Sequence, residues 1–162
     1  MNYLIDGYNL LFLFHIQGSL QEQRRFLVEK IQKIFAARSL CGIIVFDGAR
    51  IEGEDSGLAY ASPLEIVFTS QKTTADEWIV EKIERSKKRN HFIVISDDHS
   101  IQKHARHLGA QIQSRQAFLQ FLFQKKFRKE KNQKEIRETP RSLERLLKIF
   151  TERFEKGIED GD

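Results

Sequence analysis

The chain has 162 residues, a hydrophobic fraction of 40% and thirteen Phe against one Trp and one Met, enough for a single core filled by rings and branched aliphatics. Its net charge of +4 and pI near 9.2 permit a polyanionic partner without demanding one. The single cysteine, Cys41, excludes an intramolecular disulfide and reads as a small buried hydrophobe, and no stretch approaches the roughly 20 apolar residues of a membrane span.

The N-terminus is apolar, but Asp6 and Asn9 interrupt it. It has no Lys or Arg near Met1 and no small-residue cleavage site, so it does not read as a signal peptide, and a cytoplasmic protein is expected. Residues 2–6 read as a short buried strand. The Asp6-Gly7 pair that follows, set between apolar runs, is a hairpin signal. The alternative is a strand ending at Asp6, then a loop and a helical turn over 9–14. Residues 19–38 read as a helix: Ser19 and Glu22 form a capping box, and Leu20, Leu27, Ile31, Ile34 and Phe35 recur on one face.

The β-branched run 42–47 suits a strand buried on both faces. A polar loop holding Gly48, Gly53 and Gly57 spans 48–62, and 64–68 is a third strand. Thr74 and Glu77 form a second capping box, opening a helix with apolar Trp78, Ile79 and Ile83 that runs to about Ser86. Residues 91–96 are another buried strand and 98–108 a helix that Gly109 stops. Residues 110–113 are a short polar edge strand.

Strands alternating with helices predict an α/β/α sandwich around a mainly parallel sheet, which weakens the hairpin alternative at Asp6-Gly7. After Ser114 come an apolar helix around Phe118, Leu119, Leu122 and Phe123, and a basic stretch over 125–137. A last helix starts at Thr139-Pro140, with Leu143, Leu146, Leu147, Phe150 and Phe154 on one face. The expected organisation is a domain over 1–123 and a basic helical extension over 124–162 packed on it.

Three central strands end in aspartate, at Asp6, at Asp47 and at Asp97 with Asp98. In parallel sheets crossed over by helices these ends share one edge, and ligands bind where the strand order reverses. Asp76 joins them, since the helix after a strand begins on that side. Singly, Asp6 and Asp47 are turn formers, Asp76 favours the helix dipole, and Asp98 is a helix cap. Together they repel one another unless a cation sits among them, and hard oxygen donors suit Mg²⁺ or Mn²⁺.

Such ions can activate water and neutralise a scissile phosphate without a protein nucleophile. The chain offers none: it has no GxSxG elbow, Cys-His pair, P-loop or GxGxxG fingerprint. His99, His104 and His107 lack cysteine partners for zinc and read as surface residues. His91 has no support as a catalyst, and His15 is near enough to Asn9 to line the rim.

The ordered set D-G-Y-N at 6–9, VFD at 45–47, EIVFT at 65–69, TADE at 74–77 and SD at 96–97 resembles the NYN domain of the YacP-like family, within the PIN-like metal-dependent ribonucleases. The resemblance covers most of 1–123, and the tail looks like the family's C-terminal extension. It implies a PIN-like fold and an endoribonuclease cleaving single-stranded RNA with Mg²⁺ or Mn²⁺. Asp6, Asp76 and Asp97 would be the principal ligands. Asn9 would orient Asp6 or contact substrate, Asp47 would be auxiliary, and Asp98 would support the site or only cap its helix. Bacterial members include a ribosome-associated nuclease of messenger RNA, so the resemblance also offers the ribosome as a partner. No DNA preference is inferred.

Lys87, Lys88 and Arg89, with Lys125, Lys126, Arg128 and Lys129, could supply phosphate contacts. The plainer alternative for the second group is a solvated helix face carrying Glu130 and Glu135. Tyr8, Tyr60 and Phe92 are candidates to stack on bases, although aromatics at core spacing are first of all core. Two rivals stand beside the nuclease. One is an RNA- or ribosome-binding module without turnover. The other is a phosphoryl-transfer or receiver domain, which would need a lysine where 110–116 offers only Arg115.

Overall fold

Uninterrupted runs such as Ile43-Ile44-Val45-Phe46 have no polar face to turn to solvent, so they end in the middle of a sheet covered on both sides. The computed structural model describes residues 1–14, 16–48, 62–70 and 72–123. His15, most of the loop expected over 48–62 with its Tyr60, and the extension 124–162 with Lys125, Lys126, Arg128, Lys129 and the last helix lie outside them.

Strands β1 (Asn2–Asp6), β2 (Cys41–Phe46), β3 (Leu64–Phe68), β4 (Phe92–Ile95) and β5 (Gln111–Gln113) form one sheet in the order β3-β2-β1-β4-β5. All four pairings are parallel, so the described sheet is wholly rather than mainly so. The helices are α1 (Gly7–Leu11), α2 (Leu20–Arg38), α3 (Ala75–Glu84), α4 (His99–His107) and α5 (Arg115–Phe123).

Alternation along each strand divides the core in two. Tyr3, Ile5, Ile44, Phe46 and Ile95 face Leu10, Leu27, Ile31 and Phe35 of α1 and α2 and Phe118 and Leu122 of α5. Leu4, Ile43, Val45, Phe92 and Val94 face Ala75, Ile79 and Ile83 of α3 and Ile101 and Ala105 of α4. This is a three-layer α/β/α sandwich. Both capping boxes form, at Ser19 with Glu22 and at Thr74 with Glu77.

Asp6-Gly7 is a strand end, not a hairpin: Asp6 closes β1 and caps α1, which starts at once at Gly7. Gly7 is needed here for close approach, since a Cβ would lie 2.4 Å from the Phe46 ring. Cys41 departs from expectation. As the first residue of β2 it sits at the rim of the sheet and is exposed, its Sγ 3.4 Å from the Met1 carbonyl. Leu20, the first residue of α2, also stays exposed, and the buried face begins at Arg24.

The chain proceeds outward from β1 through β2 to β3, then crosses back to β4 on the other side of β1. Order therefore reverses between β1 and β4, and helices packing on opposite faces leave a crevice beyond those strand ends. Asp6 pairs with Val45 of β2 but lies one residue past the last β1–β4 pair, Ile5 with Ile95. The crevice opens at Asp6.

Candidate active site

Asp6 lies at the floor, only 8% exposed. Its Oδ1 accepts a hydrogen bond of 3.0 Å from the Asn9 backbone N–H, an ordinary N-cap contact that fixes the carboxylate at the start of α1. Burial raises its pKa. The Asn9 N–H and the nearby Arg115 charge work against that, while Asp47 and Asp98 add to it.

Asp76 is brought in by Asp47. Asp47 Oδ1 accepts from the backbone N–H of Ala75, the first residue of α3, so the end of β2 holds the start of that helix. Thr69 steadies the same corner: its Oγ1 accepts from the Gly48 N–H at 3.2 Å and its own N–H donates to the Phe46 carbonyl. Asp76 follows in the first turn, half-buried and with no hydrogen-bond partner among the described residues. Desolvation, then repulsion from Asp6, Asp98, Asp47 and Glu77, raises its pKa to about 6. Four aspartates from three strand ends and one helix start thus share one field.

Asp97 and Asp98 are committed differently. Asp98 caps α4, its Oδ1 accepting from the N–H groups of Ser100 at 2.7 Å and Ile101 at 3.1 Å. Asp97 has both oxygens on Arg115: Oδ1 accepts from the backbone N–H at 3.1 Å and Oδ2 from Nε at 2.6 Å. Arg115 Nη1 donates to the Asn9 carbonyl, and the Asp97 N–H lies 3.4 Å from Asn9 Oδ1. Asn9 therefore touches all three: Asp6, Asp97 and Arg115.

Two residues carry weight here that sequence reasoning did not place at the site. Arg115 was visible only as the cation nearest the last strand. Arg24, buried on α2, lies over the Phe46 and Phe68 rings and donates from Nη1 to the Tyr8 hydroxyl at 3.0 Å. Tyr8 is thereby tied into the fold, edge-on to Phe46 and stacked on Phe12. Phe92 is core. His99, His104 and His107 are exposed along α4.

Lys87, Lys88 and Arg89 are exposed, but they precede β4 while Asp97 follows it. Lys87 and Arg89 line an open depression with Arg85 and Gly109 at the opposite edge of the sheet. The strand between is four residues, roughly 13 Å.

Among the described residues, no three Asp, Glu, His or Cys side chains are grouped to hold a metal ion. The donor set nonetheless suits a hard cation. Asp6 and Asp76 are carboxylates that repel each other, and Mg²⁺ is commonly held by one or two carboxylates with water completing its shell. No helix among the described residues is long and apolar enough to cross a membrane.

Residues 3–159 match the family model of the YacP-like NYN domain. Two crystal structures of Rae1 (YacP) from Bacillus subtilis share the fold. One is 19% identical with a TM-score of 0.62, over 99% of this chain and 85% of that one. The other, a mutant form, is 21% identical with a TM-score of 0.58, over 100% and 85%. A comparison with curated proteins returned no match.

Proposed function

This chain belongs to the YacP-like NYN domain family, and from that premise we propose that it is a divalent-metal-dependent endoribonuclease hydrolysing single-stranded RNA, messenger RNA included, with the ribosome as a candidate setting. The observation that carries the reading is the carboxylate pair at the switch point. Asp6 and Asp76 face the same crevice, and burial followed by repulsion from Asp6 and its acidic neighbours pushes Asp76 up to about 6. Carboxylates crowded in this way favour a functional site over a structural one.

Asp6 and Asp76 would hold Mg²⁺ or Mn²⁺, which when bound supplies an activated water and screens the phosphodiester charge. The chain's own residues prepare that place. Asn9 holds the Asp6 carboxylate in one orientation. Asp47 holds the α3 terminus that presents Asp76, and the Asp97–Arg115 pair ties the β4 end to α1.

One observation favours the non-catalytic RNA- or ribosome-binding module as a second reading: Asp97, the third expected ligand, has both oxygens on Arg115. Both readings are tested by incubating labelled single-stranded RNA with the purified protein in Mg²⁺ or Mn²⁺, with and without ribosomes. Cleavage is expected, abolished by EDTA and lowered roughly 100-fold or more in folded Asp6→Asn and Asp76→Asn proteins. Wild-type rates in both variants would refute the site. RNA binding without cleavage under every condition would establish the second reading.

A further inference from the structure

Asp97 and Arg115 form the one close ion pair inside the described crevice, and its geometry is asymmetric. Asp97 Oδ1 rests on the Arg115 backbone N–H, at the fixed start of α5, while Oδ2 rests on the side-chain Nε. The backbone bond does not depend on where the guanidinium is. Rotation of the Arg115 side chain alone would free Oδ2 and leave the carboxylate oriented.

The pair is also partly wet, with the side chains of Arg115 and Asp97 22% and 37% exposed. Partly exposed pairs are worth little and break readily. Arg115 is the nearby positive charge that acts on buried Asp6, and it partners Asp97 directly. The guanidinium thus lies between two of the three expected ligands, paired with Asp97 and close enough to act on Asp6.

We infer that Arg115 is an internal cation that a divalent ion must displace, so that Asp97 joins Asp6 and Asp76 as a ligand only when its Oδ2 exchanges the guanidinium for the metal. The inference rests on the metal-dependent reading above. Arg115 is a positioning residue in this scheme, since its Nη1 also donates to the Asn9 carbonyl.

Calorimetric titration of Mn²⁺ into the full chain tests it without any assay of cleavage. Removing the competitor in Arg115→Gln is expected to tighten Mn²⁺ binding roughly fivefold, the equivalent of an exposed pair. Arg115→Lys, which keeps a competing charge, should stay near wild type. In the unsubstituted protein, the Arg115 Nε–H resonance should shift as Mg²⁺ saturates the site. Equal or weaker Mn²⁺ binding in Arg115→Gln, or an Nε–H resonance unmoved at saturating Mg²⁺, would overturn the exchange; the second measurement decides if the variant does not fold. Asp6→Asn separates the two levels of the argument. If wild type binds Mn²⁺ and Asp6→Asn does not, an unchanged Arg115→Gln refutes the exchange alone. If wild type binds no Mn²⁺ and leaves RNA intact, the metal-dependent reading falls and the exchange with it.

Discussion

Asp76 bears an energetic cost that its burial, and then its acidic neighbours, impose. Its folded pKa of about 6 lies above the ordinary 3.8, so the native state holds that proton more tightly than the unfolded chain does. Stability from this group is therefore fully present below about pH 4, is lost as the pH rises through about 6, and is flat above. Burial shifts Asp6 in the same direction. Asp76→Asn should accordingly stabilise the protein at pH 7.5 by about 1 kcal/mol, after allowance for solvent screening of a half-exposed group. Urea unfolding at pH 7.5 and pH 4 checks this, because the gain should vanish at the lower pH. The same substitution should abolish cleavage, which would make Asp76 a residue retained at the expense of stability. Its neighbour Asp98 was legible in the sequence only as a choice between support and cap. Its bonds to the Ser100 and Ile101 N–H groups show the cap, a distinction that depends on side-chain rotation and not on residue type.

Between β1 and α1 there is no connecting loop, and that junction depends on Gly7. The Phe46 ring fills the space a methyl group would need, and Phe46 is itself fully buried between the sheet and Arg24. Gly7→Ala is expected to cost about 1–3 kcal/mol through overpacking, measured as a lowered urea midpoint at unchanged slope. Strands and helices were readable because their signals are local: β-branched runs, two capping boxes and Gly109, which ends α4 at a φ of +89°. Gly7 was readable as a break but not as a contact, since the ring that requires it lies 39 positions further along. Arg115 was hidden for the same reason. Nothing in AQIQSRQ marks an arginine that reaches back 18 residues to Asp97 and 106 to Asn9.

At the scale of the whole molecule, the described carboxylate cluster and the run Lys87, Lys88 and Arg89 occupy opposite edges of the sheet. The carboxylates lie past the C-terminal ends of β1, β2 and β4, whereas Lys87, Lys88 and Arg89 lie ahead of β4. A short oligonucleotide seated in the crevice has no reason to meet that basic edge. Lys87→Glu combined with Lys88→Glu should leave kcat/KM for a short single-stranded oligonucleotide within about twofold of wild type. Any effect should be confined to long RNA, as a shallower dependence of binding on salt. A large loss on the short substrate would show that the basic edge and the crevice act as one surface. The strand order also governs when the crevice can form. Both walls of the crevice meet at β1, the first strand made, yet the second wall needs β4 and Arg115, about a hundred residues later. During synthesis β1, β2 and β3 can pair while the far side of β1 is still open. A chain still emerging from the ribosome therefore carries Asp6 with no opposite wall, and its crevice is completed only after residue 115 has been released.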